Sequence, residues 1–345
     1  MKTKNLNRLI WASSALIIAA LACQGPKSAP NTPTSSPPTS VPTSVPPQAT
    51  SAPAQNSDVP AVLPLKPLDT EGDVDSSSMA TAKNEPSGDN FAQGLFERPF
   101  NANTMDTYFP YLDIVRIKGY KDGTWGYLEI TLAGTDKTGK LPAQYAAELD
   151  LNKDGRGNWL IRASNPASTS WSTQGVQAWK DTDGDVGGVI PMVADAKPDG
   201  GDGYETLVFD QGKGDTPDGA WVRISPNDPK TVQFAFKLSM LGSPSSFAVG
   251  AWAGDNIDPS KFDYNDHMTH AEAGDPNQGY PQVYPIKAMA EIDNTCRLAV
   301  GFVPTTNVPG LCGAAQTQHQ GSQCPPGKTY TCSNGIAAMV SCSCK

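Results

Sequence analysis

Histidine is scarce in this chain, with three residues in 345. A histidine base or ligand must therefore come from His267, His270 or His319. No Gly-x-Ser-x-Gly nucleophile elbow is present, and neither a phosphate-cradling glycine loop nor a dinucleotide fingerprint can be found. Basic clusters are missing as well. Twenty-six Lys and Arg stand against 35 Asp and Glu, for a net charge of -9, and no Lys/Arg-rich helix occurs, which argues against a nucleic-acid partner. No stretch reads as a helix longer than a turn or two, and no repeat of fixed length is visible. Long apolar runs are absent with one exception, Leu9 to Ala22. At about 14 residues it falls short of the roughly 20 needed to cross a bilayer.

That exception is informative. Lys2, Lys4 and Arg8 precede it and Ala20-Leu21-Ala22-Cys23 closes it, the layout of a secretory signal over residues 1–22. The closing residues resemble the lipobox of bacterial lipoproteins, although that family usually has Leu where this chain has Ala20. The resemblance implies cleavage before Cys23, a diacylglycerol on its sulfur, and a chain anchored to the outer face of a bacterial membrane. The competing reading is a single-pass anchor. Loss of the signal removes three positive charges and takes the net charge to -12. An acidic surface outside the cell suits solubility or hard cations.

From Gln24 to Pro67 the chain is Pro, Ser, Thr and Ala, with twelve prolines and hardly a large apolar residue. Such a segment has too little apolar surface to offset the entropy of ordering. It should extend in polyproline-like conformations of about 3.1 Å per residue. With the polar stretch that follows, residues 23–90 read as a disordered stalk carrying the lipid anchor, and a folded domain is expected from Phe91.

Beyond Phe91, short strand patterns alternate with Gly, Asp, Asn and Pro turns. Strands are expected over 113–120, 125–132, 144–150, 158–163, 175–180, 204–209, 220–225, 231–238 and 246–252. Val232–Leu238 is the clearest period-2 run. About nine short strands with little helix predict an all-β fold, an antiparallel β-sandwich over 91–292. The order of the Trp125 strand, the Gly175-Val176-Gln177-Ala178-Trp179 strand before an acidic turn, and Val232–Leu238 leading into Ser239-Met240-Leu241-Gly242 is similar to the sandwich of family 9 carbohydrate-binding modules and DOMON domains. That resemblance implies a noncatalytic fold binding sugars, or haem in some members. No axial Met/His pair can be assigned for haem here.

Asp150-Leu151-Asn152-Lys153-Asp154-Gly155 places oxygen side chains at alternate positions before a glycine, a layout suited to calcium. Its twelfth position is Ile161 where an EF-hand has a bidentate Glu, so ligands from elsewhere are needed. Asp181-Thr182-Asp183-Gly184-Asp185 is a second such cluster, with Asp199, Asp202, Glu205, Asp215 and Asp218 as looser additions. Tight turn chemistry explains each cluster taken alone. Two together predict a structural calcium site, with Asp150, Asn152, Asp154, Asp181, Asp183 and Asp185 as candidate ligands. His267, His270 and Glu272, near Asp263 and Asp266, form the one group resembling a transition-metal or acid/base site, but they lack the HExxH spacing of a metalloprotease.

Among the mature chain's tryptophans, Trp171 sits in a Ser/Thr-rich loop and is the best candidate for a ring that stacks on a sugar, with Tyr264 and Tyr280 behind it. Trp125, Trp159, Trp179, Trp221 and Trp252 lie in or beside strands and are expected in the core.

Six cysteines occupy the last 50 residues: Cys296, Cys312, Cys324, Cys332, Cys342 and Cys344. An even number in an exported chain predicts disulfides. Fifteen pairings are possible; Cys296–Cys312 is the pairing expected, with the other four stapling a small cap over 293–345. The functional expectation is a noncatalytic surface lipoprotein that binds a glycan or polysaccharide through a calcium-stabilised sandwich. The alternatives are a structural or adhesion protein with an envelope protein partner, and a metal-assisted hydrolase centred on Asp266, His267 and His270.

Overall fold

The computed structural model describes residues 58–79, 88–187, 203–262, 264–274, 288–305 and 308–313, together with the backbone of 330–334 and 340–344. All belong to one compact unit, Gln55–Lys345. Cys23, Tyr280 and Cys324 lie outside the described residues.

Two antiparallel sheets face each other. The first runs in the order β1 (Asp69–Gly72), β3 (Ile114–Lys121), β4 (Trp125–Leu132), β11 (Asp228–Lys237) and β10 (Ala220–Ser225). The second runs β2 (Glu97–Arg98), β13 (Ile292–Asn294), β12 (Phe247–Gly254), β5 (Gln144–Asp150), β6 (Trp159–Ser164), β7 (Val176–Lys180), β8 (Thr206–Asp210) and β9 (Lys213–Gly214), with β14 (Leu298–Val300) paired to the start of β12. A separate hairpin, β15 (Tyr330–Asn334) with β16 (Val340–Cys344), sets Cys332 opposite Cys342 in register. The expected antiparallel sandwich is therefore present, and each of the nine expected strands is found.

Period-2 alternation builds the core. Ile117, Leu128, Ile130, Phe234 and Phe236 from the first sheet meet Tyr145, Ala147, Leu149, Ile161 and Val249 from the second, all buried. The rings of Phe236 and Phe247 bridge the layers edge to face at 5.6 Å. Gly126 makes room for them, because a Cβ there would stand 2.2 Å from the Phe236 ring.

The nine-stranded sheet is also covered on its other face. Ala146, Leu160, Trp252 and Ile292 point outward there and pack under Phe91, Phe96, Phe262 and Tyr264 from the loops. Every residue of β12 is buried as a result, and Ala and Gly between its aromatic residues fit that double-sided environment.

The domain edges differ from the expected ones. β1 falls within the stretch assigned to the stalk, yet it pairs with β3, and the Leu68 and Asp73 amides on either side of it donate to the Gly119 and Val115 carbonyls. β13 and β14 likewise carry the second sheet past residue 292. Cys296 and Cys312 form the expected disulfide, 16 residues apart. Arg297 N–H donates to the Gly310 carbonyl, and Cys312 N–H donates to the carbonyl of Arg297, so the bridge closes a segment already tied in place. A loop of this length constrains the unfolded chain by about 3 kcal/mol. The Cys296→Ser/Cys312→Ser double variant should lose about that much in urea unfolding; a loss below about 1 kcal/mol would show that the loop is held without the bridge.

Candidate metal centre and aromatic face

The acidic loop after β7 gathers four carboxylates. Oxygens of Asp181, Asp183, Asp185 and Glu205 all lie within 4.8 Å of one another. Asp181 is 7% exposed. Its Oδ1 accepts the N–H groups of Asp183 at 3.2 Å and Gly184 at 2.8 Å, and the turn needs the positive φ of 83° that Gly184 supplies. Glu205, entering from the other side just before β8, accepts from the Thr182 amide and hydroxyl at 2.9 and 2.7 Å through Oε2. Each of these two carboxylates thus has one oxygen held by the loop. The other oxygen, Asp181 Oδ2 or Glu205 Oε1, is buried with no hydrogen-bond partner. Burial, and then the neighbouring Glu205 charge, hold the Asp181 carboxyl above its usual range. An all-oxygen set of this kind suits a hard cation, so the cluster could hold a metal ion.

The first acidic loop is built differently. Asp150 is fully buried, and its two oxygens accept the amides of Lys153 at 2.5 Å and Gly155 at 2.9 Å. Asn152 donates to Asp154, whose other oxygen accepts the Arg156 amide. The alternate oxygens of this loop thus cap its own backbone, which is the turn chemistry that competes with metal binding in such sequences.

The histidine group resolves in part. Glu272 accepts from the Thr269 amide and hydroxyl at 2.8 and 2.9 Å while its own amide donates to that hydroxyl. That is a capping box on the short helix α1 (His270–Ala273). The side chains of Asp266 and His270 lie outside the described residues. Tyr264, expected as an accessible ring, is instead 5% exposed, packed on Trp252 and Phe262. Its hydroxyl accepts the Asp258 amide at 2.8 Å. The cause is the outer layer over the nine-stranded sheet, which the short surrounding loop gave no reason to expect.

Trp171 lies on the outer face of the five-stranded sheet. The loop carrying it crosses from β6 to that sheet and pairs Ser172 with Val222 through two backbone hydrogen bonds. The ring is half-buried, 4.2 Å from the Arg223 guanidinium carbon and 6.4 Å from the Tyr127 ring. Its Nε1–H donates to the Ala61 carbonyl at 3.1 Å, and Leu63 packs beside it. Strand register lays two rows across this face. One is Trp221, Ala235, Tyr127 and Tyr120. The other is Arg223, Gln233, Glu129 and Lys118, joined in sequence by contacts of 2.7 Å. Trp125, Trp159, Trp221 and Trp252 are buried as expected, while Trp179 is half-buried against the outer layer.

Comparison with protein-family models, with curated proteins and with solved structures finds no match for this chain. Site geometry is therefore the ground for a functional reading.

Proposed function

We propose that this chain is a noncatalytic surface lipoprotein, lipid-anchored through Cys23, whose sandwich is stabilised by calcium and binds an extracellular glycan. The strip that begins at Trp171 carries the glycan reading. A half-exposed indole offers an apolar plane for one face of a pyranose. Beside it Arg223, Glu129 and Lys118, tied in a row through the buried Gln233, offer donors and acceptors at strand spacing, the mixture that fixes the orientation of a polyhydroxylated ligand. The unpartnered oxygens of Asp181 and Glu205 support calcium, which would hold the loop after β7 in one conformation.

The test is retention of the full-length, disulfide-intact protein on a panel of insoluble polysaccharides, in calcium and in chelator. One glycan should retain it, and Trp171→Ala should weaken that retention about tenfold or more, the scale of a buried aromatic anchor. In calcium the Asp181→Asn/Asp183→Asn variant should lose the part of the retention that an ion in the loop after β7 supports. A folded protein retained by no glycan would sink the sugar reading and leave an envelope protein as the partner class.

A further inference from the structure

Four carboxylates meet at one end of the sandwich, far apart in sequence and separate from the acidic loop after β7. Asp73 follows β1, Glu97 is in β2, Asp113 immediately precedes β3 and Asp293 is in β13. Glu97 is 3% exposed, and Asp113 and Asp293 are fully buried. Oxygens of Asp73, Glu97 and Asp293 lie within 4.8 Å of one another. We propose that Asp73, Glu97 and Asp293 bind a calcium ion, with Asp113 beside them, and that the ion fastens the N-terminal edge of the fold to the body of the sandwich.

The hydrogen bonds favour an ion. Asp293 Oδ2 accepts the Ile114 amide at 2.6 Å. Asp113 Oδ2 accepts the Ser76 amide at 3.0 Å and the Tyr108 hydroxyl at 2.5 Å. Glu97 Oε2 accepts the Ser76 hydroxyl at 3.2 Å, and Asp73 Oδ1 the Val74 amide at 3.0 Å. The opposite oxygens Asp293 Oδ1, Asp113 Oδ1 and Asp73 Oδ2 are buried with no hydrogen-bond partner. Among the described residues no Lys or Arg pairs with any of the four; the nearby buried Arg98 is held by Asp89 at 2.7 Å.

Isolated charges in such a place are strongly disfavoured, and a cation is one way to relieve them. Desolvation, and then repulsion from the neighbouring carboxylates, push Glu97 and Asp293 well above the ordinary range. Desolvation raises Asp73 to about 6 and Asp113 to about 7. The rival arrangement is a set of carboxyls sharing protons, with Asp73 and Glu97 as the hydrogen-bonded pair. The all-oxygen donor set points away from soft metals. Its burial favours calcium over magnesium, which holds on to its water shell. Asp73 is the one half-buried member of the three.

The test is calcium titration of the chelator-treated full-length protein at pH 7.5 by calorimetry, with zinc-free buffers. The Asp181→Asn/Asp183→Asn variant removes the other acidic cluster and should still bind one calcium. Adding Asp73→Asn to it, at the rim where folding is least at risk, should weaken that binding at least tenfold, and adding Asp293→Asn should abolish it. Circular dichroism establishes that each variant is folded. A folded Asp181→Asn/Asp183→Asn variant that binds no calcium, or one whose binding is unmoved by Asp73→Asn, would overturn the proposal and leave shared protons as the account of the cluster. This result is independent of glycan retention, so the two readings can fail separately.

Discussion

Glu148→Ala should destabilise the protein by about 3–5 kcal/mol, the usual consequence of removing one partner from a buried, hydrogen-bonded ion pair. Glu148 is 4% exposed in the middle of the outer layer on the nine-stranded sheet. Trp252 Nε1 donates to it at 2.9 Å and the Tyr204 hydroxyl at 3.1 Å, and Arg297 Nη2 lies 3.2 Å away. Truncation removes the acceptor that the Trp252 indole, the Tyr204 hydroxyl and the Arg297 guanidinium share. Tyr204 reaches the carboxylate only because residue 157 is glycine; a Cβ there would stand 1.9 Å from its hydroxyl oxygen. Urea unfolding of the disulfide-intact protein, followed by tryptophan fluorescence, measures the loss. Glu148→Gln keeps an acceptor but not the charge opposite Arg297, and should fall between the native protein and Glu148→Ala. An alanine variant within about 1 kcal/mol of native would mean that water satisfies the three donors.

Phe236→Ala should cost about 3–5 kcal/mol through the cavity it leaves between the sheets. A companion substitution makes the prediction sharper. Gly126→Ala pushes a methyl into the Phe236 ring and should alone destabilise by about 1–3 kcal/mol. In the Phe236→Ala background that methyl enters vacated space, so the same change should be close to neutral. The double-mutant cycle therefore predicts a coupling of about 1–3 kcal/mol between the positions. Additive effects would show that the Gly126 strand yields without touching the ring.

Much of the fold is legible from side-chain alternation, because each of the nine expected strands puts one apolar face on a shared core. What escapes is short or polar. β1 reads Asp-Thr-Glu-Gly, which carries no apolar signal, and its place is set by hydrogen bonds to β3. β13 and β14 have three residues each, fewer than periodicity can register. The two acidic loops look alike in sequence and differ in who occupies the oxygens. Asp150 spends both on backbone amides, while Asp181 and Glu205 each spend one. Glu205 stood out little as a ligand because it comes from a separate segment, just before β8. The cluster of Asp73, Glu97, Asp113 and Asp293 has no local spacing at all, since four separate chain segments bring it together.

The rims of the two sheets bear on how this protein behaves at high density. An unpaired strand offers its amides and carbonyls to the next molecule, and long flat borders invite polymerisation. Among the described residues the borders here are short: four residues in β1, two each in β2 and β9, and six in β10, whose outer edge already bonds to Ser168 and Ser172. β10 is further interrupted by a bulge between Ile224 and Ser225. β1 shields β3, which is eight residues long. Removal of β1 would therefore uncover the eight-residue edge of β3, the longest border among the described residues, and open it to intermolecular strand pairing.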